Sequence, residues 1–169
     1  MSNENTPVIS FVAKSGSGKT TLLEKVIARL KAENYRIAVI KHDAHQFDID
    51  IPGKDTWRMA QAGADIVAIS SPAKVAVIEK VLEEKQLDDV INMISEVDLI
   101  LTEGFKLSGK PAIEVFRSAV GQTLLCEPDR LIALASDIEW NIGVPCYHID
   151  DAAGVAGEVI KYIKSFPRA

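Results

Sequence analysis

Short, nearly continuous apolar runs alternate along the chain with stretches in which apolar residues recur every three or four positions, the pattern of buried strands interleaved with amphipathic helices. Residues 8–13 form the first such run. Glycines follow it at once, so it reads as a buried strand ending in a tight loop. A helix is predicted from near Lys19, with Leu22, Leu23, Val26, Ile27 and Leu30 on one face and a polar stop at Glu33 and Asn34. Residues 36–41 supply a second strand. A strand, helix and strand joined by a crossover of this length make a βαβ unit with parallel strands.

Beyond residue 41 the pattern dissolves into a polar loop reaching Gly53. Asp55 is predicted to cap a short helix that runs to Ala62 and ends at Gly63. Runs at 66–70 and 74–79, separated by Ser71 and Pro72, predict a hairpin. A helix over 87–94 then leads to strands at 98–102, 113–116, 131–135 and 146–149. An amphipathic helix over 152–164 carries Val155, Val159, Ile160 and Ile163 on its apolar face.

With 169 residues, the length fits one domain, read as 1–169 with residues 1–6 expected to be flexible. A formal charge of −5 argues against a general phosphate-backbone binder, so nucleic acid is not an expected partner. Cys126 and Cys146 are the only cysteines, which leaves neither a disulfide framework nor a thiol zinc site and fits a reducing compartment. The polar start and the lack of a long apolar run predict a cytoplasmic protein that does not enter a membrane.

The chemistry concentrates at Ala13-Lys14-Ser15-Gly16-Ser17-Gly18-Lys19-Thr20, a Walker A pattern in which Ala13 stands where the first glycine is usual. Such a loop turns backbone N–H groups inward around phosphate oxygens and backs them with a helix N-terminus. Lys14, Ser15, Gly16, Ser17, Gly18, Lys19, Thr20 and Thr21 are therefore the predicted phosphate-binding residues. Lys19 would reach the terminal phosphates and the Thr20 hydroxyl would bind Mg²⁺. Lys14 is either a solvated loop lysine or, as in deviant Walker A loops, a residue that reaches a partner's nucleotide.

Glu103 is the second predicted metal ligand, because it closes the strand at 98–102 on the edge where the phosphate loop lies; Asp98 opens that strand and bounds it. Gly104 suggests a close approach of backbone to ligand. Lys19 and Glu103 are the residues predicted to carry any catalysis. Lys41, His42, His45, Asp48 and Asp50 form a polar cluster after the second strand, with three readings open: a metal site, a second anion site through Lys41 and His42, or a hydrated loop. Gly53, Lys54, Asp55 and Arg58 extend it with groups suited to phosphate.

Taken together, the segments AKSGSGKTTL, IKHDAH…DIDIPGKDTWR, AGAD (62–65), DLILTEGFK (98–106) and ALASDI (133–138) resemble the MobB proteins, adaptors of molybdopterin-guanine dinucleotide biosynthesis. The resemblance implies an α/β fold, a P-loop NTPase-like three-layer domain with a mostly parallel sheet and an antiparallel hairpin extension. It implies binding of Mg·GTP with slow hydrolysis, a homodimer, and assistance to a molybdenum cofactor guanylyltransferase, with molybdopterin itself a further candidate ligand. Lys41 and His42 match the family's KH element and Glu103 its Walker B acid. Ala44 and Gln46 depart from the His and acidic residues common there. No NKxD sequence is present, so Asp137 is the candidate for pairing with guanine, against the alternative that it caps a turn before Pro145. A small-molecule kinase or ATP-dependent ligase using the same loop, and a nucleotide-driven dimerisation switch, are the competing readings.

Overall fold

A computed structural model describes residues 6–43, 47–105 and 108–167, which divide into two compact units: 1–42 with 87–169, and 43–86. The first unit is built on a six-stranded sheet of β1 (Val8–Ala13), β2 (Ile37–Lys41), β5 (Leu99–Glu103), β6 (Ala112–Phe116), β7 (Leu131–Ser136) and β8 (Cys146–His148). Every neighbouring pair is parallel, in the order β2-β5-β1-β6-β7-β8. A parallel sheet covered on both faces selects residues that are apolar at consecutive positions, which is why β1, β6 and β7 read as apolar runs, interrupted inside only by Ser10 in β1 and Glu114 in β6.

Helices α1 (Lys19–Ala32) and α4 (Ala152–Ser165) cover one face. Leu22, Leu23, Val26 and Leu30 of α1 and Val155, Val159 and Ile163 of α4 pack there with Ile9, Phe11, Leu101, Ile113 and Ala133. The other face is covered by α3 (Leu87–Asn92), through Leu87 and Ile91 on Ile40 and Ile100, and by an irregular segment that sets Cys126 against Val12 and Ala112. This is the expected three-layer α/β arrangement. The sheet differs from the simplest reading in one respect: β5 is inserted between β1 and β2, so the two strands of the βαβ unit are parallel without being neighbours.

Local chemistry explains the breaks. α1 ends where Asn34 adopts φ +65°, with Tyr35 N–H donating to Leu30 O (3.2 Å) and Asn34 N–H to Lys31 O (3.0 Å), the paired bonds that satisfy the last carbonyls of a helix. Asp151 caps α4 by accepting the Gly154 N–H at 2.8 Å.

The second unit holds α2 (Asp55–Gln61) and the antiparallel hairpin of β3 (Ile66–Ser71) and β4 (Lys74–Glu79). Ser71 Oγ closes its turn by accepting the Lys74 N–H at 3.1 Å. Asp55 is not the cap of α2. Lys54 takes that position, Asp55 is the first helical residue, and the carboxylate that ties down this start belongs to Asp50, which accepts from Thr56 Oγ1 (3.0 Å) and its neighbour's N–H at Ile51 (2.8 Å). Among the described residues, no helix is long and apolar enough to cross a membrane.

Candidate functional site

All six strands of the sheet run the same way, so every loop that follows a strand emerges on one edge, where ligands of parallel α/β sheets bind. That edge collects Lys14 to Gly18 after β1, Lys41 and His42 at the end of β2, Glu103 and Gly104 at the end of β5, Arg117 after β6 and Asp137 after β7. Asp98 lies at the opposite edge, where its carboxylate accepts the Arg36 N–H at 2.7 Å.

The phosphate loop takes its shape from two glycines, Gly16 at φ +80° and Gly18 at φ +88°, in backbone conformations that side chains disfavour. Gly18 is also the N-cap residue of α1. It contributes no side-chain bond and the first turn of α1 contains no acid, so the helix's own residues leave its positive end uncapped. A cavity of about 420 Å³ opens over it, lined by the end of β1, residues 14–21, Glu103 and Gly104. Ser17 is buried, while Ser15, Gly16, Thr20 and Thr21 are exposed.

Glu103 is brought to this cavity as the sequence anticipates. Lys19 Nζ pairs with Glu103 Oε1, and Thr20 Oγ1 donates to the same oxygen at 3.1 Å. Burial pushes the Glu103 carboxyl up, but the Lys19 hydrogen bond and charge, the Thr20 hydroxyl and the Lys41 charge together outweigh it, so its pKa falls below the ordinary 4.5. An ionised carboxylate beside a hydroxyl offers the hard oxygen pair that Mg²⁺ prefers.

The KH element meets the EGF element across β2 and β5. Lys41 lies opposite Glu103 in register, the His42 N–H donates to Glu103 O at 2.8 Å, and the His42 ring packs on Phe105 with centroids 4.9 Å apart. Gly104 lines the cavity and has a second reason to be glycine. At φ +104°, a Cβ there would lie 3.0 Å from His42 O and 3.1 Å from His42 Cβ. The close neighbour is the chain itself.

Asp137 is occupied by Ser118, whose N–H and Oγ donate to its two oxygens at 2.8 and 2.9 Å. The Ser118 N–H, with lesser help from its hydroxyl and from the Arg117 charge, holds the Asp137 carboxyl below its ordinary range. Arg117 was not among the residues expected at the site, although a basic residue directly after a buried strand on the ligand edge is a usable signal. Its Nε points to Ser17 O at 3.4 Å. Lys14 lies over the same turn: a Cβ on Gly121 would be 3.4 Å from Lys14 Cδ.

The rest of the predicted polar cluster divides. His45 lies outside the described residues. Asp48, Asp50, Gly53, Lys54, Asp55 and Arg58 belong to the second unit, where Arg58 Nη1 is 3.9 Å from Asp55 Oδ1. Among the described residues, no group of three or more His, Cys, Asp or Glu is placed to hold a metal.

Residues 8–137 match the family profile of MobB, described as molybdopterin guanine dinucleotide synthesis protein B. The chain is 36% identical over 170 residues to the molybdopterin-guanine dinucleotide biosynthesis adapter protein of Escherichia coli (strain K12), covering 94% of each. It is 31% identical to the protein of the same name from Haemophilus influenzae, covering 97% of this chain and 93% of that one. Among solved structures, a molybdopterin-guanine biosynthesis protein B superposes with a TM-score of 0.70 at 29% identity, covering 91% of this chain and 98% of that one. Bacillus subtilis MobB, at 23% identity and a TM-score of 0.73, shares the fold; the match covers 94% of this chain and 99% of that one.

Proposed function

The chain belongs to the MobB family, and from that premise we propose that it is an adapter of molybdopterin-guanine dinucleotide synthesis that binds GTP with Mg²⁺ and assists a guanylyltransferase in attaching GMP to the cofactor. The observation that carries this reading is the meeting of Lys19, Thr20 and Glu103 at the mouth of the phosphate-loop cavity. Backbone N–H groups of residues 14–18, apart from that of Ser17, which donates to Lys14 O at 3.2 Å, would receive the phosphates together with Ser15, Ser17 and Thr21. Lys19 exchanges Glu103 for a phosphate oxygen, and Thr20 and Glu103 offer their oxygens to the metal. Bound Mg²⁺ supplies neutralisation of phosphate charge.

Slow turnover is part of the proposal. Among the described residues Glu103 is the one carboxylate lining the cavity, and in this reading its oxygens are given to the metal, which leaves no side chain there to accept a proton. We expect hydrolysis far below the range of about 1 to 100 per second typical of kinases. Asp137 remains the proposed guanine reader, since each of its oxygens retains a lone pair beyond its Ser118 bond. A homodimer is part of the proposal and is supported by the hairpin, which exposes Ile66, Val75 and Val77 on one face.

The test is a nucleotide titration of the parent and Glu103→Ala with and without Mg²⁺, with turnover followed in parallel. Metal-dependent GTP binding that is lost in the variant, with slow turnover, supports the proposal. Full retention of Mg²⁺-dependent binding in the variant, or turnover in the kinase range, overturns it.

A further inference from the structure

The five-residue turn from Arg117 to Gly121 is tied at both ends. It closes on itself through the N–H groups of Val120 and Gly121, which donate to Arg117 O at 3.0 and 3.1 Å. Its second residue, Ser118, is held by both oxygens of Asp137, at the end of the neighbouring strand. The same turn lies along the phosphate loop over its whole length. Lys14 reaches over Gly121, a Cβ on Gly16 would be 3.9 Å from Val120 Cγ1, and a Cβ on Gly18 would be 3.4 Å from Arg117 Nη2. Arg117 Nε adds a long bond to Ser17 O at 3.4 Å, a distance at which the fixed guanidinium charge acting on the carbonyl dipole is the main attraction.

The arginine does not line the cavity that holds Lys19 and Glu103. It approaches the loop from outside, on the carbonyl of the residue between the two glycines. That carbonyl matters because each peptide is rigid: fixing the Ser17 carbonyl outward fixes the Gly18 N–H on the same peptide plane. A loop whose N–H groups are already aimed need not be ordered by its ligand.

We propose that Arg117 and the Ser118–Asp137 clasp form a positioning device that holds the phosphate loop in its phosphate-receiving shape, with Arg117 acting through Ser17 and not on the ligand. The inference rests on the phosphate-loop reading given above. It separates the work of Asp137 into two parts, since a clasp serves every polyphosphate equally while a base reader serves only guanine nucleotides.

Inorganic tripolyphosphate with Mg²⁺ isolates the first part, because it carries phosphates and no base. Binding of tripolyphosphate and of Mg·GTP is measured for the parent, Arg117→Ala, Arg117→Lys, Ser118→Ala and the Arg117→Ala/Ser118→Ala double variant, with thermal melts as a check on folding. Each alanine variant is expected to weaken both ligands by about 3- to 10-fold, the net worth of one hydrogen bond. The double variant is expected to lose less than the product of the single losses, because both changes release one turn. Arg117→Lys, which keeps the charge, should recover part of the loss. Tripolyphosphate binding within about twofold of the parent in both alanine variants, or a loss confined to GTP, overturns the positioning role while leaving the nucleotide reading intact. A folded parent that binds neither ligand overturns the nucleotide reading and this inference with it.

Discussion

Replacing Gly104 by alanine tests how the two halves of the acidic edge are joined. The backbone there sits at φ +104°, and the new Cβ would meet His42 O at 3.0 Å and His42 Cβ at 3.1 Å. Non-glycine residues held in disfavoured backbone regions cost about 1–3 kcal/mol, and forcing an extra carbon into a packed position costs a similar 1–3 kcal/mol. His42 has little freedom to retreat, because its N–H is bonded to Glu103 O and its ring lies on Phe105. A loss of about 3 kcal/mol is expected, which for a domain of this size lowers Tm by roughly 6–12 °C. Gly109→Ala is the matched control. That glycine also has positive φ (+70°) but nothing within 4 Å of its would-be Cβ, so only the backbone cost of about 1–2 kcal/mol applies. Thermal and urea denaturation of both variants give the comparison. A Gly104→Ala melt within about 2 °C of the parent, or one no lower than that of Gly109→Ala, would refute the close approach of His42.

Two further expectations concern ionisable groups. Because the folded pKa of Glu103 is below its ordinary 4.5, its contribution to stability is present in full above that value and is lost as pH falls through the lowered one. The stability gap between parent and Glu103→Gln should therefore be open at neutral pH and close as acidification passes below the ordinary carboxylate value; a gap that widens with acid contradicts the ion pair. Burial, followed by the nearby Glu114 carboxylate, pushes the Cys126 thiol up to about 11, while Cys146 is exposed. A thiol reagent at mildly alkaline pH should modify one cysteine quickly in the native protein, and Cys146→Ser should remove that fast phase. Two fast thiols would refute the packing around Cys126.

Much of this architecture is legible in the sequence because parallel strands covered on both faces need apolar residues at consecutive positions, and β7 is written that way, as are β1 and β6 apart from Ser10 and Glu114. The tight turn between β1 and α1 is legible because Gly16 and Gly18 stand where the backbone takes positive φ. Glu103 could be chosen over Asp98 from strand direction alone. What escapes is non-local. Nothing within a strand states its neighbours, so the insertion of β5 between β1 and β2 is invisible until the sheet is assembled. The same holds for Arg117 against Ser17, 100 residues apart, and for Ser118 on Asp137. Glu114 shows the limit of composition: a carboxylate in the middle of a buried strand looks out of place until it is seen accepting the N–H groups of Leu125 and Cys126 at 2.8 and 2.9 Å. Gly104 was expected to mark an approach of backbone to ligand; it lines the cavity, and its would-be Cβ also meets His42, which no local pattern announces. Asp55 lost its capping role to a local competitor, since Lys54 precedes the helix and Asp50 holds Thr56.

What enters the cavity beside Lys19, Thr20 and Glu103 decides what this protein does. Calorimetric titration of the parent with GTP and with ATP, each with Mg²⁺, and of Lys19→Ala as the control, measures it. Saturable GTP binding that exceeds ATP binding and disappears in Lys19→Ala is the expected result. No GTP binding by the folded parent, or GTP binding untouched by loss of Lys19, contradicts the account.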